Sequence, residues 1–213
     1  MEEDKFTIDA FEPEGVIIDA GEFPTNPRAL RWLDAVGAKI VCCDGAADDF
    51  IARGYMPWRI VGDCDSVSSG VRERYTGIIR RNPDQETNDQ TKAVEYLYGK
   101  GIRKIVILGA TGRREDHTLG NISLLIEYLK RGIEARIYTD YGVFIPIEGD
   151  CEIVCRPATQ VSIFNFGAEE MKSEGLAYPI RDFDSWWQGT LNECPSGTFR
   201  IHARGYYLLF LNY

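Results

Sequence analysis

Histidine is scarce in this chain, at two positions, and methionine stands at only three. With only His117 and His202, and no C-x-x-C pair among six cysteines, no zinc framework is offered. No disulfide pattern is recognisable either. Cys42, Cys43 and Cys64 lie in or beside apolar runs, Cys151 and Cys155 share one strand face by their spacing, and Cys194 is isolated. Buried free thiols are the expectation. No apolar run approaches the roughly 20 residues of a membrane-spanning helix. The opening MEEDKFTIDA is acidic where a secretory signal is basic and then apolar, so cytoplasm is the expected location. A net charge of −9 argues against nucleic acid or an anionic membrane as main partner. Internal repeats, low-complexity linkers, a P-loop and a G-x-G-x-x-G motif are all missing.

What is present is a chain of 213 residues, 44% hydrophobic and 27% charged, enough for one large domain or two small ones with a substantial core. The first two-thirds alternates short apolar runs with helical periodicity. Gly15–Asp19 ends in the loop Ala20-Gly21-Glu22-Phe23-Pro24. Asn26-Pro27 opens a helix with Leu30, Leu33 and Val36 on one face and Gly37 as its stop. Strand-like Ala38–Cys43 leads through Asp44-Gly45 into a second helix, and Arg59–Gly62 leads into Asp63-Cys64-Asp65-Ser66, where Gly62 is expected to allow a tight turn. Ser66, Ser68 or Ser69 can cap the short helix that follows, and Thr87 or Asn88 the next. Arg103–Leu108 reads as the most buried strand; a long helix bearing Leu119, Ile122, Leu125, Ile126 and Leu129 comes after it. Short apolar strands between helices predict an α/β fold with a doubly wound, mostly parallel sheet, whose ligands sit at the strand ends. After about Thr139 no helical period survives, and Gly and Pro punctuate strand-like runs at short intervals. An all-β sandwich is expected there, with residues 1–140 and 141–213 as the two domains.

Carboxylates recur at the exits of the first-domain strands. Asp44 follows the second strand, Asp63 and Asp65 the third, and Asp89 and Asp116 lie in the first turns of the two later helices. Any one of them is favoured at a helix N-terminus without further function. Five on one sheet edge repel one another unless a cation and basic side chains neutralise them, which points to Mg²⁺ carrying a polyphosphate. Lys92, Arg113 and Arg114 are placed to help. Gly109-Ala110-Thr111-Gly112 has the small residues and free N–H groups of a phosphate cradle.

Four segments, DGAAD (44–48), GDCDS (62–66), QETNDQTKA (85–93) and GATGRREDHTLGN (109–121), resemble the successive motifs of the thiamine pyrophosphokinase family, and GLAYPI (175–180) is similar to its second-domain signature. The resemblance implies an α/β nucleotide domain followed by a β-sandwich. It also implies Mg²⁺-dependent transfer of a diphosphoryl group from the co-substrate ATP to thiamine, by a homodimer whose thiamine site is shared between subunits. Under it, Asp63, Asp65 and Asp89 hold the metal and, with Asp116, form the catalytic set. Gly21, Asp44, Gly45, Thr111, Gly112, Arg114 and Asp116 handle ATP, and Gln85 and Asn192 contact thiamine. Two departures stand out: Glu86-Thr87-Asn88-Asp89 where the family usually has Asp-x-Thr-Asp, and Leu191-Asn192 for its Ser-Asn. The alternatives are a diphosphokinase of another hydroxymethyl heterocycle such as a pterin, or a catalytically silent ATP- or thiamine-sensing module. His117 reads as a local hydrogen-bond partner, His202 as a surface residue, and Trp186 and Trp187 as strand neighbours on opposite faces, one of them core.

Overall fold

The computed structural model describes residues 4–7 and 10–213, beginning with strand β1 (Asp4–Thr7). The chain divides into two units: Met1–Glu12, Leu125–Arg131 and Tyr141–Tyr213 form one, and Pro13–Leu124 with Gly132–Asp140 the other.

The α/β unit is built on β2 (Gly15–Ile18), β3 (Lys39–Cys43), β4 (Arg59–Gly62), β5 (Ile79–Arg81), β6 (Lys104–Leu108) and β7 (Glu134–Tyr138). These pair in the order β7-β6-β2-β3-β4-β5, every pair parallel. Val16, Ile17, Val41, Ile105, Val106 and Ile107 are fully buried, as strands enclosed on both faces require. The intervening helices are α1 (Pro27–Leu30), α2 (Ala46–Ala52), α3 (Ser69–Arg74), α4 (Asp89–Tyr98) and α5 (Glu115–Lys130). From β2 the chain moves outward to β3, β4 and β5; it then returns to lay β6 on the other side of β2. The strand order therefore reverses between β2 and β6, and a crevice opens beyond their carboxyl ends.

The second unit is antiparallel apart from one pair. β8 (Gly142–Glu148), β10 (Thr159–Asn165), β12 (Asn192–Cys194) and β14 (Tyr206–Asn212) pair in the order β12-β10-β14-β8. β9 (Cys151–Val154), β11 (Glu169–Glu174) and β13 (Thr198–Arg204) form the other sheet with β1, in the order β1-β9-β13-β11, where β1 runs parallel to β9. Cys151, Ile153, Val161, Ile163, Phe199, Ile201, Tyr207 and Leu209 supply its buried side chains. A parallel α/β sheet followed by antiparallel sheets is the fold class that the alternation of patterns predicts.

Several local expectations fail for physical reasons. The first helix stops after one turn and continues as a 3-10 turn over Arg31–Asp34, so Val36 falls outside it and is fully exposed. Leu119, expected on the buried stripe of α5, is 57% exposed, while Leu125 and Ile126 are buried. Trp186 and Trp187 lie on a 3-10 turn rather than a strand, and neither is core. Cys155 lies just past β9 and is only partly buried, whereas the expected free thiols hold for all six cysteines, the other five of them buried. The left-handed residue after β4 is Cys64, at φ 67°, not Gly62.

Candidate active site

A cavity of about 460 Å³ lies at the β2/β6 crevice of the α/β unit. Asp19, Gly21, Asp63, Gln85, Asp89, Lys92, Gly112, Arg113, Arg114 and His117 are among its lining residues. Two loops meet there without side chains between them. Gly21 N–H donates to Gly109 O at 2.7 Å and Glu22 N–H to Thr111 O at 2.7 Å. A Cβ on Gly21 would stand 2.3 Å from Gly109 O and 2.4 Å from Thr111 O, so no other residue fits. Gly109 and Gly112 are crowded in the same way: a Cβ would stand 2.7 Å from Asp19 O on the first and 2.7 Å from the Cβ of Glu22 on the second.

Asn88 caps α4 by accepting from Thr91 N–H at 2.9 Å, which fixes Asp89 in the first turn. The Asn88 amide also donates to Asn121 Oδ1 at 2.9 Å, and Asn121 donates to Ala110 O at 3.0 Å. Amides therefore join the start of α4 to the loop after β6. Lys92, 4% exposed, places Nζ 3.0 Å from Asp89 Oδ1.

The carboxylates differ in their surroundings. Asp63 Oδ1 accepts from Asp65 N–H at 3.1 Å and Oδ2 from Gln85 Nε2 at 3.2 Å, and these bonds hold its carboxyl below the usual range. Asp116 receives Arg114 Nε at 3.1 Å and Nη2 at 2.5 Å, which lowers it to about 2. Asp44 is buried; its Oδ2 accepts from Ser66 N–H at 3.3 Å, whereas its Oδ1 meets no donor among the described residues. Burial raises its pKa, reinforced by Asp89 and Asp63. Asp19, directly after β2, is also buried, and neither of its oxygens meets an N–H or hydroxyl donor among the described residues. Burial pushes its carboxyl up to about 7, with the Cys43 thiol opposing and the Asp89 carboxylate reinforcing the shift.

No group of three His, Cys, Asp or Glu among the described residues has metal-ligand placement. Asp63 and Asp89 on one cavity instead offer hard oxygens of the kind that Mg²⁺ uses, one or two carboxylates with water and phosphate completing the shell.

The family model described as "Thiamin pyrophosphokinase, catalytic domain" matches residues 35–137, and "Thiamin pyrophosphokinase, substrate-binding domain" matches residues 142–210. This chain belongs to the thiamin pyrophosphokinase family. It is 29% identical over 161 residues to the thiamine pyrophosphokinase of Bacillus subtilis (strain 168), covering 71% of this chain and 73% of that one. Thiamine pyrophosphokinase 3 of Oryza sativa subsp. japonica is 36% identical over 110 residues, or 40% of this chain and 41% of the rice protein. The chain thus spans half or less of the plant relatives' length. In fold, the thiamin pyrophosphokinase from Candida albicans aligns with a TM-score of 0.79 at 18% identity, over 99% of this chain and 93% of that one.

Within this member of the thiamin pyrophosphokinase family, Asp63, Asp89, Gln85, Gly21, Gly112 and Arg114 line one cavity. Asp44, Asp65 and Asp116 are not among the lining residues: Asp116 accepts from the cavity residue Arg114, Asp44 accepts from Ser66 N–H, and Asp65 is exposed with its N–H turned to Asp63. Gly45 is the N-cap residue of α2, and Thr111 forms the loop bond to Glu22. Asn192 belongs to the other unit. It is buried there and tied to Tyr178 N at 3.1 Å, Tyr178 O at 2.7 Å and Glu193 N at 2.9 Å, fastening the 175–180 segment to β12. His117 is exposed on the cavity wall. The residue that sequence reasoning passed over is Asp19. A single Asp at the end of an apolar run looks like an ordinary strand exit, and only the three-dimensional enclosure distinguishes it.

Proposed function

We propose that this chain is a thiamine diphosphokinase, moving the terminal diphosphoryl group of ATP to the hydroxyethyl oxygen of thiamine and releasing AMP, with Mg²⁺ required. The observation that carries the reading is a single switch-point cavity lined by Asp63 and Asp89 and also by Ala110, Gly112, Arg113 and Arg114. Membership of the family supports the substrate pair.

In this reading Asp63 and Asp89, with Asp65 beside them, hold Mg²⁺, which when bound neutralises phosphate charge. The loop N–H groups and Arg114 grip the phosphates from the side. The alcohol oxygen attacks the β-phosphorus, the bond from that phosphorus to the α-phosphate oxygen breaks, and AMP departs. The hydroxyl proton passes to a carboxylate of the cavity, for which Asp89 is the candidate. Such a transfer depends on positioning and charge neutralisation more than on covalent catalysis. Gln85, hydrogen-bonded to Asp63, is the candidate thiamine contact, and Asn192 shapes the second-unit segment. A homodimer with a shared thiamine site belongs to the same reading. The exposed Tyr178, Trp187 and Leu191 of the second unit, 66%, 74% and 80% exposed, support a partner surface.

The test is incubation with ATP, Mg²⁺ and a panel of hydroxyl-bearing vitamins, including thiamine and a hydroxymethylpterin, with products resolved by mass. Thiamine diphosphate is the expected product; a pterin diphosphate, or no product from any acceptor, defeats the reading.

A further inference from the structure

Arg113 stands in the left-handed region at φ 62°, directly after Gly112 at φ 79°. A residue with a Cβ is disfavoured there, and such residues recur where the surroundings of a ligand site compel the conformation. The turn carries the guanidinium back to the β2 exit. Nη1 donates to Ala20 O at 2.9 Å and Nη2 to Asp49 Oδ2 at 3.0 Å.

The three Lys and Arg side chains lining the cavity are held very differently. Lys92 is 4% exposed and paired with Asp89. Arg114 makes two bonds to Asp116. Arg113 meets one neutral carbonyl and one oxygen of Asp49, and both members of that ion pair are 58% exposed. A single exposed ion pair holds its partners weakly. Arginine binds phosphate oxygens through two parallel charge-assisted bonds, which are stronger. Of the three, Arg113 is the one that a polyphosphate can recruit without breaking a buried or bidentate pair.

We propose that Arg113 binds the polyphosphate of the nucleotide, and that Asp49 and the Ala20 carbonyl compete with the nucleotide for its guanidinium. The inference rests on the ATP reading above and adds a specificity residue to it. Arg113 grades affinity by the number of phosphates, and Asp49 tunes that affinity from outside the cavity lining.

The experiment is a calorimetric titration of the full chain with ATP or AMP in the presence of Mg²⁺ and without thiamine. It compares wild type with Arg113→Gly and Asp49→Asn. Glycine accepts φ 62°, so Arg113→Gly keeps the turn and its melting temperature stays near that of wild type. Its ATP affinity is expected to fall about tenfold or more, the scale of a hydrogen bond to a charged group, while AMP affinity changes much less. Asp49→Asn should tighten ATP roughly two- to threefold by removing the competitor. Arg113→Gly binding ATP as wild type does, or losing ATP and AMP equally, overturns the proposal. If that variant fails to fold, Asp49→Asn decides alone, and no tightening overturns it. Wild type that binds ATP yet makes no thiamine diphosphate defeats the acceptor assignment and leaves this test intact. Wild type that binds no ATP overturns both.

Discussion

A Cβ placed on Gly62 would lie 2.8 Å from the Cβ of Asp44 and 3.3 Å from its Cγ. The end of β4 is therefore a residue without a side chain because the buried carboxylate after β3 lies against it. Asp44 reaches this position through its own left-handed backbone, φ 40°, and its N–H donates to Val61 O at 2.9 Å. Gly62→Ala forces Asp44 outward and shifts the Ser66 N–H that it holds. We expect a loss of about 1–3 kcal/mol in denaturant unfolding, the range for overpacking a tight site, together with at least ~10-fold lower turnover. A variant of wild-type stability and activity would show that the contact relaxes without consequence.

Asp19 gives a pH signature. Burial lifts its carboxyl from the ordinary 3.8 up to about 7. As pH rises from about 4 to 7, the unfolded chain gives up this proton and the folded protein keeps it. This contribution to stability is complete at acid pH, falls as pH rises towards 7, and levels off above. Asp19→Asn removes the dependence. The variant should lie about 1–3 kcal/mol below wild type near pH 4, because a buried amide also needs partners, and should gain on wild type by up to about 4 kcal/mol by pH 8. Urea unfolding at several pH values, without nucleotide or metal, measures it. A constant difference across that range would mean that Asp19 is not the titrating group.

The parts of this fold legible in the sequence are those where local chemistry and tertiary demand agree. Of the caps offered, Ser68 among Ser66, Ser68 and Ser69, and Asn88 of Thr87 and Asn88, do cap, accepting from Val71 N–H and Thr91 N–H. The apolar runs at residues 15–18 and 104–108 lie at the centre of the parallel sheet. What stayed hidden depends on partners far along the chain. β11 has the sequence EEMKSE, whose charged residues suit an exposed edge, and a bulge between Glu169 and Lys172 breaks its alternation. β1 takes part through parallel pairing with β9. The carboxylate motifs were visible as turns, but which polar groups are buried, bonded or bare depends on partners, backbone ones included, that are distant along the chain. Asp44 with Ser66, and Arg113 with Ala20, are of that kind.

Asp63 is expected to matter for turnover far more than for stability. Its two bonds come from Asp65 N–H and Gln85, both exposed, and an asparagine keeps one acceptor oxygen for them. Asp63→Asn and Asp89→Asn should each lower kcat by about 10²-fold or more, with circular dichroism and thermal midpoint close to wild type. For Asp89→Asn the neutralised side chain leaves Lys92 without its carboxylate, so a modest loss of stability is expected there alone. Near-normal turnover of both variants at saturating Mg²⁺ would remove these residues from the metal assignment.

The last prediction separates diphosphoryl from ordinary phosphoryl transfer. A kinase attacking the γ-phosphorus commonly carries a P-loop, or a Gly-rich lid with a partner lysine over the terminal phosphate. This chain has neither. Its cavity is lined by the carboxylates of Asp19, Asp63 and Asp89 together with Ala110, Gly112, Arg113 and Arg114, which follow β6. Such an arrangement grips a row of phosphates laterally and stabilises charge appearing on the α-phosphate as AMP leaves. AMP and thiamine diphosphate should therefore form in equal amounts, with no thiamine monophosphate preceding them. β,γ-Imido-ATP should remain a substrate, because its α–β bridge is an ordinary oxygen. α,β-Methylene-ATP should bind and not react, since the bond to be broken is carbon to phosphorus. ADP and thiamine monophosphate as first products, or turnover of the methylene analogue, would place the attack at a different phosphorus and refute the transfer proposed for this site, even with thiamine as the acceptor.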